Sequence, residues 1–299
     1  MKQQKLNFIL AGVILVLIPF SLEQLVPLVR FGNYPLPSLS NYPVNFTAVP
    51  APYLTARSAV VIDADSKAIL LAKNPDEKLL PASTTKIMTA LVALDKFALT
   101  DVVSVGDLTV EPMIMKLKSG ERITVENLLY GLLVGSANDA AIALARFYPG
   151  GQAEFVKAMN QKARELHLES TQFTNPIGLD NVGHYTTSHD LSLLAAVAMQ
   201  NPEFAKLVST QAITVSDADN TVSHELTNVN QLLGKIPGLA GVKTGWTINA
   251  GECLVSYTVR NHRKIITVVL DSADRFGETA ILIDWVWANH RWEEFPANR

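Results

Sequence analysis

Ser83 and Lys86 stand three residues apart in the stretch Pro81-Ala82-Ser83-Thr84-Thr85-Lys86. If a helix begins near Ser83, that spacing puts both side chains on one face, within reach of each other. The chemistry such a pair could do is nucleophilic: a serine hydroxyl attacks poorly until a neighbouring base takes its proton, and a neutral lysine amine can be that base. At an ordinary pKa of ~10.4, only about one lysine in two or three thousand is neutral at pH 7. Bringing the pKa to roughly 7 costs about 4–5 kcal/mol, which burial and a second nearby cation can supply. The pair therefore needs a pocket and another positive charge. Without them, Ser83 and Lys86 are a helix start followed by a surface lysine.

The elements that would position the pair can be read along the chain. Ile87-Met88-Thr89-Ala90-Leu91-Val92-Ala93-Leu94 is apolar and free of Gly and Pro, which predicts a buried helix behind Ser83. Upstream, Ser58-Ala59-Val60-Val61-Ile62-Asp63 and Ala68-Ile69-Leu70-Leu71-Ala72 flank a short polar turn and predict a hairpin. Further helices are expected over residues 125–133, 140–147, 155–166, 189–199 (with Ser188 or Asp190 near its cap) and 281–292. Residues 216–223 read as a polar stretch. Two β-rich runs, 253–259 and 264–271, are joined by the turn Arg260-Asn261-His262-Arg263. With strands at both ends and helices between, the expected class is α+β: an antiparallel sheet flanked by helices, with a helical cluster inserted between the N- and C-terminal strands.

Composition narrows the function. The 299 residues are 48% hydrophobic and carry a net charge of −3 with no long basic run, which argues against nucleic acid as a partner. The one cysteine, Cys253, allows no internal disulfide and reads as a buried strand residue. Six scattered histidines without H-E-x-x-H spacing give no reason to expect a metal or any other cofactor. In residues 1–29, Lys2 and Lys5 precede the apolar run Phe8-Ile9-Leu10-Ala11-Gly12-Val13-Ile14-Leu15-Val16-Leu17-Ile18-Pro19-Phe20. This predicts a membrane anchor or signal segment, with the following chain exported. The run lacks a small-x-small cleavage site after it, which favours a retained anchor. Residues 30–52 hold Pro35, Pro37, Pro43, Pro50 and Pro52 and read as a linker, with the catalytic domain over residues 53–299.

Two more short motifs follow Ser83-x-x-Lys86 in order: Ser136-Ala137-Asn138 and Lys243-Thr244-Gly245. S-x-x-K, S-D-N and K-T-G in this order, on a helix start, an inter-helix loop and a strand, are the signature of penicillin-binding proteins and class A β-lactamases, and here Ala137 stands in place of the Asp. The longer stretches Gly135-Ser136-Ala137-Asn138-Asp139-Ala140-Ala141, Phe173-Thr174-Asn175-Pro176-Ile177-Gly178-Leu179-Asp180 and Gly241-Val242-Lys243-Thr244-Gly245-Trp246-Thr247 narrow the likeness. The chain resembles low-molecular-mass penicillin-binding proteins that act as D-alanyl-D-alanine carboxypeptidases, over roughly residues 55–289. It departs from class A β-lactamases in having no E-x-x-L-N motif between Asn138 and Lys243. Members of the family often add a C-terminal β-rich domain and a C-terminal amphipathic anchor. Here the sequence stops soon after the catalytic domain, so attachment is expected through the N-terminal segment.

The resemblance implies roles. Ser83 would attack the carbonyl between two terminal D-alanines of a peptidoglycan stem peptide, and Lys86 would take its proton. Ser136 would pass a proton to the leaving amine, and Asn138 would bind the substrate amide or hold Lys86. Lys243 would be the second cation, lowering the Lys86 pKa and attracting the substrate carboxylate, with Thr244 and Thr247 hydrogen-bonding it. Gly245 would let a ligand backbone approach, and the backbone N–H groups of Ser83 and Trp246 would form an oxyanion hole. β-Lactams would acylate Ser83 and leave slowly. Arg275 either helps bind the carboxylate or makes a structural salt bridge; Trp246 either lines the pocket or packs. Asn175 and Asp180 read as loop supports, and His184 and His189 as loop and cap residues. Competing readings are an endopeptidase acting on cross-links with the same residues, a β-lactamase, and a wall-binding or β-lactam-sensing module that does not turn over. The expected location is the cytoplasmic membrane, with the catalytic domain on its outer side.

Overall fold

Residues 42–108 and 113–294 are described by the computed structural model. Its centre is a five-stranded antiparallel sheet, β3-β2-β10-β9-β8. The strands are β2 (Ser58–Asp63), β3 (Ile69–Lys73), β8 (Leu239–Thr247), β9 (Gly251–Arg260) and β10 (Arg263–Ser272). The two N-terminal strands thus pair with the C-terminal three through β2 and β10, in the register Val60↔Val268 and Ile62↔Ile266. All six residues of β2 are buried, because both sheet faces are covered.

Alternation along the strands divides the core. Val60, Ile62, Val255, Ile266 and Val268 face a helical cluster, whereas Ala59, Val61, Leu254, Ile265 and Val269 face helix α7 (Arg275–Asn289) with Leu282, Ile283 and Val286. The cluster comprises α1 (Lys86–Lys96), α2 (Val125–Leu133), α3 (Asn138–Phe147), α4 (Gly151–Glu165), α5 (Ser188–Ala198) and α6 (Pro202–Ser209), all between β3 and β8 in the chain. Helix α1 lies deepest: residues 86–93 are buried without exception, as its unbroken apolar character requires. Capping sets several helix starts. Thr124 accepts from the Asn127 amide, Asn201 precedes Pro202 at the head of α6, and Asp274 accepts from the Gly277 amide.

The α+β reading and the hairpin of β2 and β3 hold. Four details differ. The chain enters α1 through a 3-10 turn, Ala82–Thr85, so Ser83 lies in the turn and Lys86 opens the α-helix. The cap of α5 is Thr187, one residue before the pair expected there. The polar stretch 216–223 is the turn of a hairpin not expected there, β6 (Ala212–Ser216) with β7 (Ser223–Thr227), closed by Asp217 accepting from the amides of Thr221 and Val222.

The last difference concerns the domain's start. Part of the presumed linker is strand β1 (Tyr42–Asn45), paired with β11 (His290–Glu293), which occupies the end of the segment expected to be helical. Proline misled the reading: Pro43 is tolerated because β1 has a partner on one side alone. The folded region thus begins before Tyr53. The segment 1–29 and the linker up to residue 41 lie outside the described residues. Two short strands complete the fold, β4 (Val102–Ser104) and β5 (Arg122–Thr124).

Candidate active site

Ser83 is presented by a strained, buried turn. Ala82 adopts φ 47° and is wholly buried, and Thr84 Oγ1 ties back to Pro81 O at 2.6 Å. Two glycines make room for the turn. Gly178, at φ +86°, lies so close that a β-carbon there would sit 1.8 Å from Ala82 O. A β-carbon on Gly245 would lie 3.0 Å from the Ser83 amide nitrogen. The close approach expected at Gly245 is therefore made first by the protein's own nucleophile turn, which seats the Ser83 N–H against the edge strand β8.

Lys86 is completely buried and has three partners. Its Nζ lies 2.8 Å from Ser83 Oγ, 2.8 Å from Asn138 Oδ1 and 3.0 Å from Ile177 O. The amide and carbonyl oxygens can only accept, so they occupy two N–H bonds. Ser83 is the one partner that can also give a proton. A neutral Lys86 thus turns its lone pair toward the serine hydroxyl. Burial, and then the charge of Lys243, pushes the Lys86 pKa well below its ordinary value, against an opposing pull from Asp139. The second cation that the sequence required is in place.

Ser136 lies in the joint between α2 and α3 at φ 57°, a left-handed conformation that turns its side chain toward β8. Its Oγ accepts from Lys243 Nζ at 2.8 Å, and Lys243 also donates to Thr244 O at 3.0 Å. Burial and then Arg275 bring the Lys243 pKa down to about 7. Ser83, Lys86 and Asn138 thus form one hydrogen-bonded group and Ser136 and Lys243 another, coupled by the charge of Lys243 on Lys86 and drawn from the 3-10 turn, two helix starts, the α2–α3 joint and a strand.

A groove passes on both sides of Ser83. One half, about 790 Å3, is lined by Ser136, Asn228, Thr244, Gly245, Glu252 and Arg275 among others. The other, about 420 Å3, is lined by Asn138, Gly178, Asp180, Thr247 and Ile248 among others. Met113 and Trp246 border both. Trp246 is 58% exposed, so it rims the groove and does not pack as a core residue. Arg275 Nη1 donates to Gly245 O at 2.8 Å, so its guanidinium is fixed at the end of the first half. Thr247 lies in the other half. Its hydroxyl donates to Asp180 at 2.7 Å and accepts from the Ala250 amide, so it is engaged within the protein.

The loop residues hold the walls. Asn175 Oδ1 accepts from the amides of Ile177, Gly178 and Leu179, fixing the carbonyl that holds Lys86. His184 receives the Thr174 amide at Nδ1 and reaches Thr85 with Nε2; burial lowers its pKa to about 4, so it is neutral. His189 opens its helix beside Asp76. Cys253 is fully buried and burial raises its thiol to about 12, an unreactive state. Sequence reasoning missed the supports of residues 113–117, which cover the start of α3. Asn138 donates its amide to Met113 O, and Asp139 accepts from the amides of Met115 and Leu117. No group able to hold a metal ion occurs among the described residues.

The profile of the Peptidase S11 family, D-alanyl-D-alanine carboxypeptidase, matches residues 45–274. The chain belongs to the D-alanyl-D-alanine carboxypeptidase family. It is 35% identical over 245 residues to D-alanyl-D-alanine carboxypeptidase DacF of Bacillus subtilis, and 37% identical over 252 residues to DacD of Escherichia coli. These matches cover 79% and 78% of this chain, and in each case 63% of the relative's length. Among solved structures, the Streptomyces K15 DD-transpeptidase superposes with a TM-score of 0.77 at 31% identity, over 80% of this chain and all of that one. The S11 carboxypeptidase family thus accounts for the order of the three motifs and for the sheet that carries them.

Proposed function

We propose that this S11-family chain is a serine D-Ala-D-Ala carboxypeptidase that trims the terminal D-alanine from peptidoglycan stem peptides. The observation that carries the reading is the Lys86 geometry: two obligate acceptors occupy its N–H bonds, and its remaining direction meets Ser83 Oγ at 2.8 Å. In the first step Ser83 Oγ attacks the penultimate D-alanine carbonyl and its proton passes to Lys86. The tetrahedral oxyanion is received by the Ser83 and Trp246 N–H groups; removing one such donor typically costs about 10²–10³ in rate. As the C–N bond breaks, Ser136 gives its proton to the departing D-alanine amine and recovers the one that Lys86 took from Ser83, so Lys86 is neutral again in the acyl-enzyme. Water then attacks the acyl carbonyl as Lys86 takes its proton, and the return of that proton to Ser83 Oγ as the C–O bond breaks frees the enzyme.

The departing D-alanine carboxylate belongs in the groove half lined by Ser136, Thr244 and Arg275, with the Lys243 ammonium buried behind Ser136 and Thr244. The stem peptide lies in the half bounded by Asn138 and Trp246, with Thr247 supporting that wall through Asp180. β-Lactams, whose strained amide mimics the scissile bond, acylate Ser83 covalently. The apolar run after Lys2 and Lys5 supports attachment to the cytoplasmic membrane, with this domain on the outer side. No helix among the described residues is long and apolar enough to cross a membrane.

The test follows free D-alanine from a peptide ending in D-Ala-D-Ala, with wild type and Ser83→Ala. Release that vanishes in the variant supports the proposal. Labelling of Ser83 by a fluorescent penicillin without release redirects it to cross-linked substrates or to sensing. Neither release nor labelling overturns the roles of Ser83 and Lys86.

A further inference from the structure

Residues 113–117 govern the site in two places. Met113 borders both halves of the groove, and its carbonyl accepts the amide of Asn138, the residue that holds Lys86. Besides Asn138 and Asp139, a third support holds this segment. His224, on β7, directs Nδ1 to Met115 O at 2.8 Å and Nε2 to Glu121 Oε1 at 2.7 Å. Glu121 Oε2 accepts from the Lys118 amide. Both side chains are buried, at 4% and 1% exposure.

The proton inventory of this contact is fixed by its neighbours. A carbonyl can only accept, so Nδ1 carries a proton toward Met115. Nε2 and a carboxylate oxygen at 2.7 Å then need a proton between them. Without it, a ring lone pair would face an anionic oxygen in a buried place, at the cost of unsatisfied groups.

We propose that Glu121 and His224 form a proton-sharing positioning pair that fixes residues 113–117, and through them Asn138 and Lys86, in the acylating geometry. The groups facing it are Lys116 and Lys118 on the segment itself and Glu225 on β7, which line the adjoining cavity of about 590 Å3, and Asp139 on α3. Arg122, next in sequence, turns to Asp219 at the surface. The pair touches no substrate; it acts through the segment. Removing either partner leaves the other buried and unpaired, loosens the hold on Met115 O and slows acylation.

The proposal rests on the carboxypeptidase reading for its activity readout, and a second readout is free of it. Acylation of Ser83 by a fluorescent penicillin would be measured between pH 6 and 10 for the wild type, Glu121→Ala, His224→Leu and Glu121→Gln, with thermal denaturation of each. A misplacement near 1 Å costs about 10²-fold, so Glu121→Ala and His224→Leu should acylate about ten- to a hundredfold more slowly. Glu121→Gln is the discriminating variant. Its amide N–H can donate to a neutral Nε2 while its carbonyl keeps the Lys118 bond, so it should acylate within about threefold of wild type. In 15N-labelled protein at neutral pH, both His224 ring nitrogens should carry protons in wild type, and Nδ1 alone in Glu121→Gln. Wild-type rates in Glu121→Ala, or Glu121→Gln as slow as Glu121→Ala, would overturn the pair's role. A wild type that acylates without releasing D-alanine would count against the proposed activity and leave this test intact. If the wild type does not acylate, the nitrogen spectra decide the proton sharing, and the positioning role falls.

Discussion

Replacing Gly178 by alanine should disable the nucleophile without touching a catalytic side chain. Two costs arise at this position. A φ of +86° is poorly suited to a residue with a β-carbon, a strain of about 1–2 kcal/mol. The added carbon would also meet Ala82 O at 1.8 Å, Ala82 C at 2.4 Å and Thr85 Oγ1 at 2.9 Å, against the 3.4 Å at which contact becomes ordinary. Relief requires the backbones to part by more than an ångström, and overpacking of this kind costs about 1–3 kcal/mol. The displaced atoms belong to the Ser83 turn on one side and adjoin the Ile177 carbonyl on the other, so the Ser83 to Lys86 contact is lost from both directions. The expected outcome is a Tm lower by about 5–15 °C and acylation by penicillin slowed by about 10²-fold. Gly151→Ala is the control. It shares a positive φ, +75°, but nothing lies within 4 Å of its added carbon. It should lose about 2–8 °C of Tm and keep its acylation rate. If Gly178→Ala acylates within threefold of wild type while folded, the turn is not seated by this contact and the account of Ser83 presentation is wrong.

Lys243 gives a pH prediction. With its pKa lowered to about 7 by burial and Arg275, it loses its charge as pH rises past neutrality, so KM for a D-Ala-D-Ala peptide should increase above about pH 7. Arg275→Gln removes one lowering influence, and should move that increase to higher pH while raising KM overall; a steady KM from pH 6 to 9 in both proteins would refute the role given to Lys243. The same depression has a stability consequence. Between about 7 and the unfolded value of ~10.4 the unfolded chain binds a proton that the native Lys243 lacks, so this residue makes stability climb with pH over that window. Lys243→Met should flatten the climb and gain most below pH 7, as read by denaturant midpoints. Thr247→Val should lower stability by about 1–3 kcal/mol by stranding Asp180 and the Ala250 amide. Its KM should stay within about twofold of wild type on the energetics of a group that does not bind the substrate carboxylate; a large KM increase alone would return Thr247 to that role.

Much of the site was legible because its chemistry is local in sequence. Ser83 and Lys86 are one turn apart, and Ser136-Ala137-Asn138 and Lys243-Thr244-Gly245 are short motifs on regular elements. The sheet was legible because β2, β9 and β10 are apolar runs buried on both faces. What escaped depends on pairing between distant residues. Residues 212–227 alternate exposed and buried positions with mostly polar side chains, so the β6–β7 hairpin left little hydrophobic signal. Glu121 and His224 are 103 positions apart, and nothing in either local sequence shows that they share a proton. The motif of Thr247 was legible, but its hydrogen bond to Asp180, on a different loop, was not.

The clasp of β1 and β11 has a mechanical consequence. Tyr42 lies opposite Glu293 and Asn45 opposite His290, so the chain enters and leaves this ribbon at the same end. Tension between residues before Tyr42 and residues after Glu293 would therefore peel the strands apart one rung at a time, and would not slide all four rungs at once. Such peeling yields at low force and stops where Phe46 bonds to Asn289 and Trp285 holds Pro50. Four sacrificial pairs thus stand between a pull on the ends and the sheet that carries Lys243.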